Sequence, residues 1–287
     1  MQNNDLTRKK SSLGINESSW DDARIVVLGV PLDSASSYRP GARFAPEGIR
    51  NVFESLEEYS LDLAVDIEQV PFYDLGDLLM EGSETYSNLI RGQKIIADMV
   101  KQGKKPLVIG GDHAVTYAPV KVLFENVYQE DLVLLHFDAH LDLRPGYMGD
   151  DYSHASVIYR LLELGVREIY QFGIRSAATE EVETARRQTR FYPHQILEPL
   201  REIMPQLQGR PVYVTLDIDV VDPGLAPGVG TPEPGGITSN HLLQLFPVLK
   251  QLNIVGFDVV EVNPPYDNSQ VTTHLAAKLV REALMIM

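Results

Sequence analysis

With 44% hydrophobic and 23% charged residues in 287 positions, the chain has ordinary globular usage, which disfavours disordered, collagen-like and membrane classes. A net charge of −15 without clustered Lys or Arg argues against nucleic acid and suits a small cationic ligand. The absence of cysteine removes disulfides and thiolate ligands together, fits a reducing compartment, and leaves any metal to oxygen and imidazole.

Residues 1–22 read as a polar N-terminal tail lacking the apolar stretch of a secretory signal. No apolar run approaches the roughly 20 residues that span a bilayer, so a cytoplasmic protein without membrane contact is expected. Residues 23–287 show no repeat, low-complexity stretch or linker and read as a single domain. ARIVVLGV at 23–30 is a buried strand, followed by a long loop dense in Ser, Pro and Gly that leads into a helix from about Ala45. Long ordered loops beside strands are often functional. Tyr38, Arg39, Gly41 and Arg43 in that loop equally fit turn chemistry and surface charge.

Helical spacing of Leu89, Ile90, Ile95, Ile96 and Val100 predicts a helix over 86–102, stopped at Gly103. A short apolar strand follows and ends in Gly110, Gly111, Asp112 and His113; the glycine pair permits the close backbone approach needed to aim His113 inward. LVLLHFDAHLD at 132–142 repeats the design. Its apolar run suits a strand covered on both faces, and residues two apart point to one side, so Asp138, His140 and Asp142 converge at metal-ligand spacing.

A polar loop, YMGDDYS, then leads to His154 at the start of a helix, and EIYQFGI at 168–174 is the next strand. Glu180 to Arg187 reads as a charged, solvated helix face. PVYVTLDID at 211–219 is again a β-rich run capped by acids, Asp217 and Asp219, before a turn-rich loop and a helix near Thr238. NIVGFDVV at 253–260 is a strand ended by Glu261, and an amphipathic helix closes the chain over 272–285. This alternation implies an α/β fold with a mainly parallel sheet and helices on both faces, in which ligands bind beyond the carboxyl ends of the strands.

Two histidines and four aspartates exceed the needs of one ion and suit two ions sharing carboxylates. Oxygen-rich ligation with imidazole favours manganese over magnesium, zinc, iron and nickel. A two-metal site activates water and clamps an electrophile, so the reaction class is metal-assisted hydrolysis. His136 shares strand parity with Asp138 and reads as a core histidine or a support for the ligands; His194, His241 and His274 read as ordinary polar residues.

GGDH at 110–113, DAHLD at 138–142, DIDVVDPGLAPGVGTPEPGG at 217–236 and DVVEVNP at 258–264 together resemble the ureohydrolase family of arginase and agmatinase. The resemblance runs from about Ile25 to the C-terminus, and YRPGAR at 38–43 is similar to agmatinases more than to arginases. It implies a three-layer α/β/α fold and a homotrimer or homohexamer. It also implies two Mn²⁺ ions, one on His113, Asp138, Asp142 and Asp217, the other on His140, Asp138, Asp217 and Asp219, with Asp138 and Asp217 bridging. His154 would shuttle the proton, Glu261 would hold the guanidinium, and Glu233 would help order that pocket. Leu141 departs from the threonine of many relatives, but its side chain should point away from the ligands.

The implied reaction adds water to a guanidinium carbon and releases urea and an amine, with agmatine expected ahead of arginine, guanidinobutyrate and formiminoglutamate. Asp150 and Asp151, just before His154, would repel the α-carboxylate of arginine and attract the ammonium of agmatine; Arg144 nearby could offset them. A metal-dependent amide hydrolase and a non-catalytic acidic binding module are the rival classes.

Overall fold

The structure is a computed structural model that describes residues 6–9, 12–14, 17–34 and 36–287. The strands of the main sheet are β1 Thr7–Arg8, β2 Ile25–Val30, β3 Phe72–Leu78, β4 Lys105–Gly110, β5 Val133–Phe137, β6 Glu168–Ile174, β7 Arg190–Pro193, β8 Pro211–Asp217 and β9 Asn253–Val260. They form one sheet in the order β1-β3-β2-β4-β9-β8-β5-β6-β7. Every pairing is parallel except that of β1 on β3.

The helices are α1 Ala45–Phe53, α2 Thr85–Lys101, α3 Tyr117–Leu123, α4 Val157–Leu164, α5 Thr179–Gln188, α6 Leu197–Leu207, α7 Ser239–Leu243, α8 Phe246–Leu249 and α9 Val271–Ile286. Because strand side chains alternate, the sheet feeds two cores. One packs Val27, Ile109, Leu135, Val214 and Phe257 against Ile49, Leu200, Phe246 and Leu279 of α1, α6, α8 and α9. The other packs Val26, Val108, Leu134 and Val255 against Ile96, Val120 and Leu161 of α2, α3 and α4. The result is the expected three-layer α/β/α arrangement. Among the described residues, no helix is long and apolar enough to cross a membrane.

Three elements escape the apolar pattern. Strand β3 carries Asp74 and Asp77 among its apolar residues, which breaks the strand signature. Helix α6 holds Pro205 in its interior, and β7 is a short, partly exposed edge. The segment expected as a polar tail also differs from that reading. Thr7 and Arg8 pair with Leu78 and Asp77, Leu13 is fully buried, and the Ser18 amide donates to the Phe72 carbonyl at 2.9 Å. Described residues of 1–22 therefore cover β3, whose outer ladder groups would otherwise be an unpaired edge.

Arg50 of α1 fixes the same strand from inside. It is only 2% exposed, and its Nε and Nη2 donate to Asp74 at 2.8 and 2.9 Å while Nη1 donates to Asp77. Asp74 also accepts from the Leu13 amide at 3.2 Å, so one buried carboxylate ties helix, strand and N-terminal segment together. Removing the cation strands buried negative charge, the costly way to break such a pair. Arg50→Met is expected to lower unfolding free energy by about 3–5 kcal/mol in denaturant titration; a change below about 1 kcal/mol would show that the network contributes little.

Candidate metal centre and active site

The four central strands β4, β9, β8 and β5 are neighbours in the sheet although the chain visits them far apart. Each delivers a functional side chain at its carboxyl end. His113 follows β4 in a 3-10 turn, Glu261 follows β9, Asp217 ends β8, and Asp138 follows β5. Local strain accompanies the placement: Asp142 has φ 52° and Glu261 φ 64°, a left-handed region that non-glycine residues rarely occupy. Gly111 serves as anticipated, since a Cβ there would lie 1.8 Å from the Leu32 carbonyl oxygen.

His113 Nδ1 lies 2.9 Å from Asp138 Oδ2, 3.0 Å from Asp142 Oδ2 and 3.3 Å from Asp217 Oδ2. His140 Nδ1 lies 3.0 Å from Asp219 Oδ2 and 3.4 Å from Asp138 Oδ1. Asp138 thus turns one oxygen to each imidazole, the geometry of a bridging ligand. Asp217 joins the His113 group, while its Oδ1 accepts from the Asp219 amide at 2.8 Å. Two groups with ligand atoms within 4.8 Å of one another emerge, one containing His113, Asp138 and Asp142, the other Asp138, His140 and Asp219.

The donor set fits cations. His113 Nδ1 and Asp219 Oδ2 are buried and, despite these close contacts, make no hydrogen bond of good geometry, although nearly all such atoms in proteins are satisfied. Two divalent ions held by imidazole nitrogen and carboxylate oxygen would satisfy both atoms and offset the clustered charge. His136 is grouped with the ligands by distance, yet its hydrogen bonds give it another task. Gln171 Nε2 must donate, because one of its partners is the Leu141 carbonyl at 2.8 Å; its other contact, His136 Nδ1 at 3.0 Å, is therefore an acceptor. That leaves His136 Nε2–H to donate to Asp138 Oδ2 at 2.8 Å, so His136 buttresses Asp138.

The cluster opens into a cavity of about 280 Å³ lined by His113, His140, Asp142, Asp217, His154 and Glu261, and by Ser37, Tyr147, Thr231, Arg144 and Glu181 among others. His154 Nε2 is 3.4 Å from Ser37 Oγ, and its ring stands edge-on to Tyr147. Glu261 is nearly buried and accepts from the His113 amide at 2.9 Å.

Three expected pocket residues lie elsewhere. Asp150 turns to the Thr85 hydroxyl at 2.5 Å and the Tyr152 amide at 2.8 Å, so its carboxylate anchors the loop. Asp151 is exposed, 3.6 Å from Arg160. Glu233 contributes its backbone carbonyl, which accepts from Arg175 at 2.7 Å; its side chain is not part of the cavity wall.

The helix face read as solvated supplies a wall residue instead: Glu181 is buried and accepts from the Ala178 amide at 2.8 Å and the Leu143 amide at 3.1 Å. Arg175, which no pattern singled out, donates to the Asp219 carbonyl at 2.6 Å as well as to Glu233, clamping the loop after β8.

Comparison with known proteins agrees with the geometry. A model of the Arginase family matches residues 23–286. An agmatinase of Bacillus anthracis is 42% identical over 271 residues, 93% of each chain. An agmatinase of Bacillus subtilis is 42% identical over 270 residues, 93% of this chain and 92% of its own. The crystal structure of agmatine ureohydrolase of Thermoplasma volcanium superposes with a TM-score of 0.85 at 34% identity, covering 98% of this chain and 94% of the other.

Burial alone would push the imidazoles of His113 and His140 down, but the surrounding aspartates outweigh it and hold both well above 6.5. Burial and the neighbouring carboxylates Asp219 and Asp138 push Asp217 well up, and burial and Asp112 do the same for Glu261. For Asp138 burial is overcome by the imidazoles of His136, His113 and His140, which hold it well below the usual carboxylate range.

Groups with raised pKa values bind more protons folded than unfolded, so their stabilisation is complete below the unfolded pKa and fades as pH rises through the folded one. For the histidines that loss begins above about 6.5. Asp138 acts oppositely, but only below about pH 4, where its unfolded form protonates. Metal ions compete with the same protons. The melting-temperature difference between Mn²⁺-loaded and chelator-treated protein should therefore widen from pH 6 to pH 8.5; a gap that narrows over this range would contradict the site.

Proposed function

The chain belongs to the arginase family, and from that premise we propose that it hydrolyses the guanidino group of a small cation, agmatine first, to urea and a primary amine. The observation that carries this reading is the double imidazole-carboxylate cluster opening into a cavity that also holds Glu261 and His154. Manganese is the proposed metal, because the donors are oxygen and imidazole without sulfur. When bound, two divalent ions would supply an activated water and polarise the guanidinium carbon.

The chain's own residues do the rest. Glu261 pairs with the substrate guanidinium and keeps the carbon over the cluster. His154 protonates the departing nitrogen as the C–N bond breaks, because an amide anion is not a viable leaving group near neutral pH. Ser37 and Tyr147 confine the His154 ring at the cavity wall. With agmatine the products are urea and putrescine, which places the enzyme in polyamine formation. A cytoplasmic homo-oligomer, trimer or hexamer, completes the proposal.

Selectivity cannot rest on Asp150 and Asp151, whose carboxylates are directed elsewhere. With Asp142 and Asp217 assigned to the metal ions and Glu261 to the guanidinium, the cavity wall keeps Glu181 beside the guanidinium of Arg144. That cation lies 3.6 Å from Glu181 and over the Tyr147 ring, so it is partly engaged before any substrate carboxylate arrives. Agmatine should exceed arginine in kcat/KM by about 10- to 100-fold, the equivalent of ~1–3 kcal/mol. The decisive comparison uses agmatine, arginine, guanidinobutyrate and formiminoglutamate. Either guanidino acid ahead of agmatine would transfer the tail-binding role to Arg144 and leave ureohydrolysis intact, whereas no turnover of any of them would overturn the reading.

His154→Asn should lower kcat by about 10²- to 10⁴-fold while Mn²⁺ content stays unchanged. Parallel loss of activity and metal would make His154 a structural residue or a ligand.

A further inference from the structure

Asp258 is a fully buried carboxylate in β9 that forms no part of the cavity wall. A buried carboxylate is costly unless it is hydrogen-bonded, and here the bonds lead to the metal cluster. Tyr213 and Thr215 of β8 donate to its two oxygens at 2.7 Å each. Thr215 is the direct cross-strand partner of Asp258, so the contact is fixed by sheet register. On its other side the Thr215 oxygen lies 2.9 Å from His113 Nε2.

The protons can be assigned by elimination. Thr215 has one hydrogen, and it goes to the Asp258 carboxylate, which accepts. The Thr215 oxygen is then an acceptor toward His113, and Nε2 is the protonated ring nitrogen. Nδ1 remains, and it is the nitrogen facing Asp138, Asp142 and Asp217. Thr116, whose hydroxyl lies 3.1 Å from that of Thr215, fills the remaining position on the Thr215 oxygen.

We propose that Thr215 and Asp258 are positioning residues that fix the tautomer and ring angle of His113, presenting Nδ1 to a divalent ion. The inference rests on His113 being a metal ligand and adds to that reading a buried relay, Asp258–Thr215–His113, reaching the ion from inside the sheet. Partners of this kind typically change metal affinity 10- to 100-fold when removed. Among the described residues His140 has no equivalent within the sheet: its ring borders the cavity and is 27% exposed. The relay should therefore act on one of two sites.

Mn²⁺ titration of metal-stripped protein, followed by calorimetry and by the spin-resonance signal of free Mn²⁺, tests this. Wild type should bind two ions. Thr215→Val should weaken one site 10- to 100-fold and leave the other within about threefold. Thr215→Ser, which restores the hydroxyl, should recover wild-type affinity, and Tyr213→Phe, which spares the relay, should stay within about threefold.

Thr215→Val with two wild-type affinities would overturn the relay alone. Wild type that takes up no Mn²⁺ would overturn the metal reading and the relay with it. An independent check needs no variant: in wild-type protein labelled with ¹⁵N-histidine and loaded with Zn²⁺, His113 should carry its proton on Nε2 in slow exchange with water. A proton on Nδ1 would overturn the proposal.

Discussion

Four aspartates and a glutamate crowd the carboxyl ends of four adjacent strands, almost removed from water, and their mutual repulsion is the constraint that the surrounding structure answers. Burial amplifies the interaction because little solvent remains to screen it. Cationic partners are the general answer to such clustering, and protons on imidazole or divalent ions fill that role interchangeably. Against the effect of burial, the aspartates raise the imidazoles of His113 and His140, while burial first and neighbouring carboxylates second raise Asp217 and Glu261. A site that draws protons so strongly is by the same physics one that draws Mn²⁺-like cations.

Holding such a cluster demands rigidity, and the fold supplies it at several distances. In the sheet, Thr215 lies between His136 of β5 and Asp258 of β9 in direct register, so each of these polar groups sits where a backbone ladder places it. Outside the sheet, Arg175 gathers carbonyls from the loop after β8, and Asp222 accepts the Gly235 amide at 2.8 Å to close the same loop. Farther away, Arg50 and Asp74 secure β3 to α1 and to the N-terminal segment, which keeps the sheet edge covered. Left-handed backbone at Asp142 and Glu261 persists within this frame because neighbouring hydrogen bonds over-determine it: the Glu261 amide donates to the Gly111 carbonyl at 2.8 Å.

The residues proposed as ligands can be picked out in the sequence because strand geometry translates directly into spacing. Asp138, His140 and Asp142 alternate at the end of an apolar run, and Asp217 and Asp219 repeat the pattern. Loop orientation has no such rule. Asp150 looks like a pocket residue until Thr85, 65 positions earlier, takes its carboxylate, and Glu181 looks solvated until its amide partners Ala178 and Leu143 are seen. The apolar pattern also fails where charge is buried for structural reasons, as in β3, whose aspartates belong to the Arg50 network. Sequence spacing thus finds charges that converge along one element, while charges paired across elements require the fold.

The same distinction separates the two imidazoles of the cluster. Both line the cavity, but His113 is 1% exposed and backed by polar groups of the sheet, whereas His140 is 27% exposed. The Nε2 side of His113 is filled by Thr215, Thr116 and Asp258, so the ring meets the cavity from its other side. Glu261 lines the same cavity while accepting from the His113 amide, so the group proposed to bind the guanidinium and the backbone that aims His113 are joined by one hydrogen bond. In that proposal substrate recognition and metal placement share a support, which gives a physical reason for a strained Glu261 rather than a relaxed residue at the end of β9.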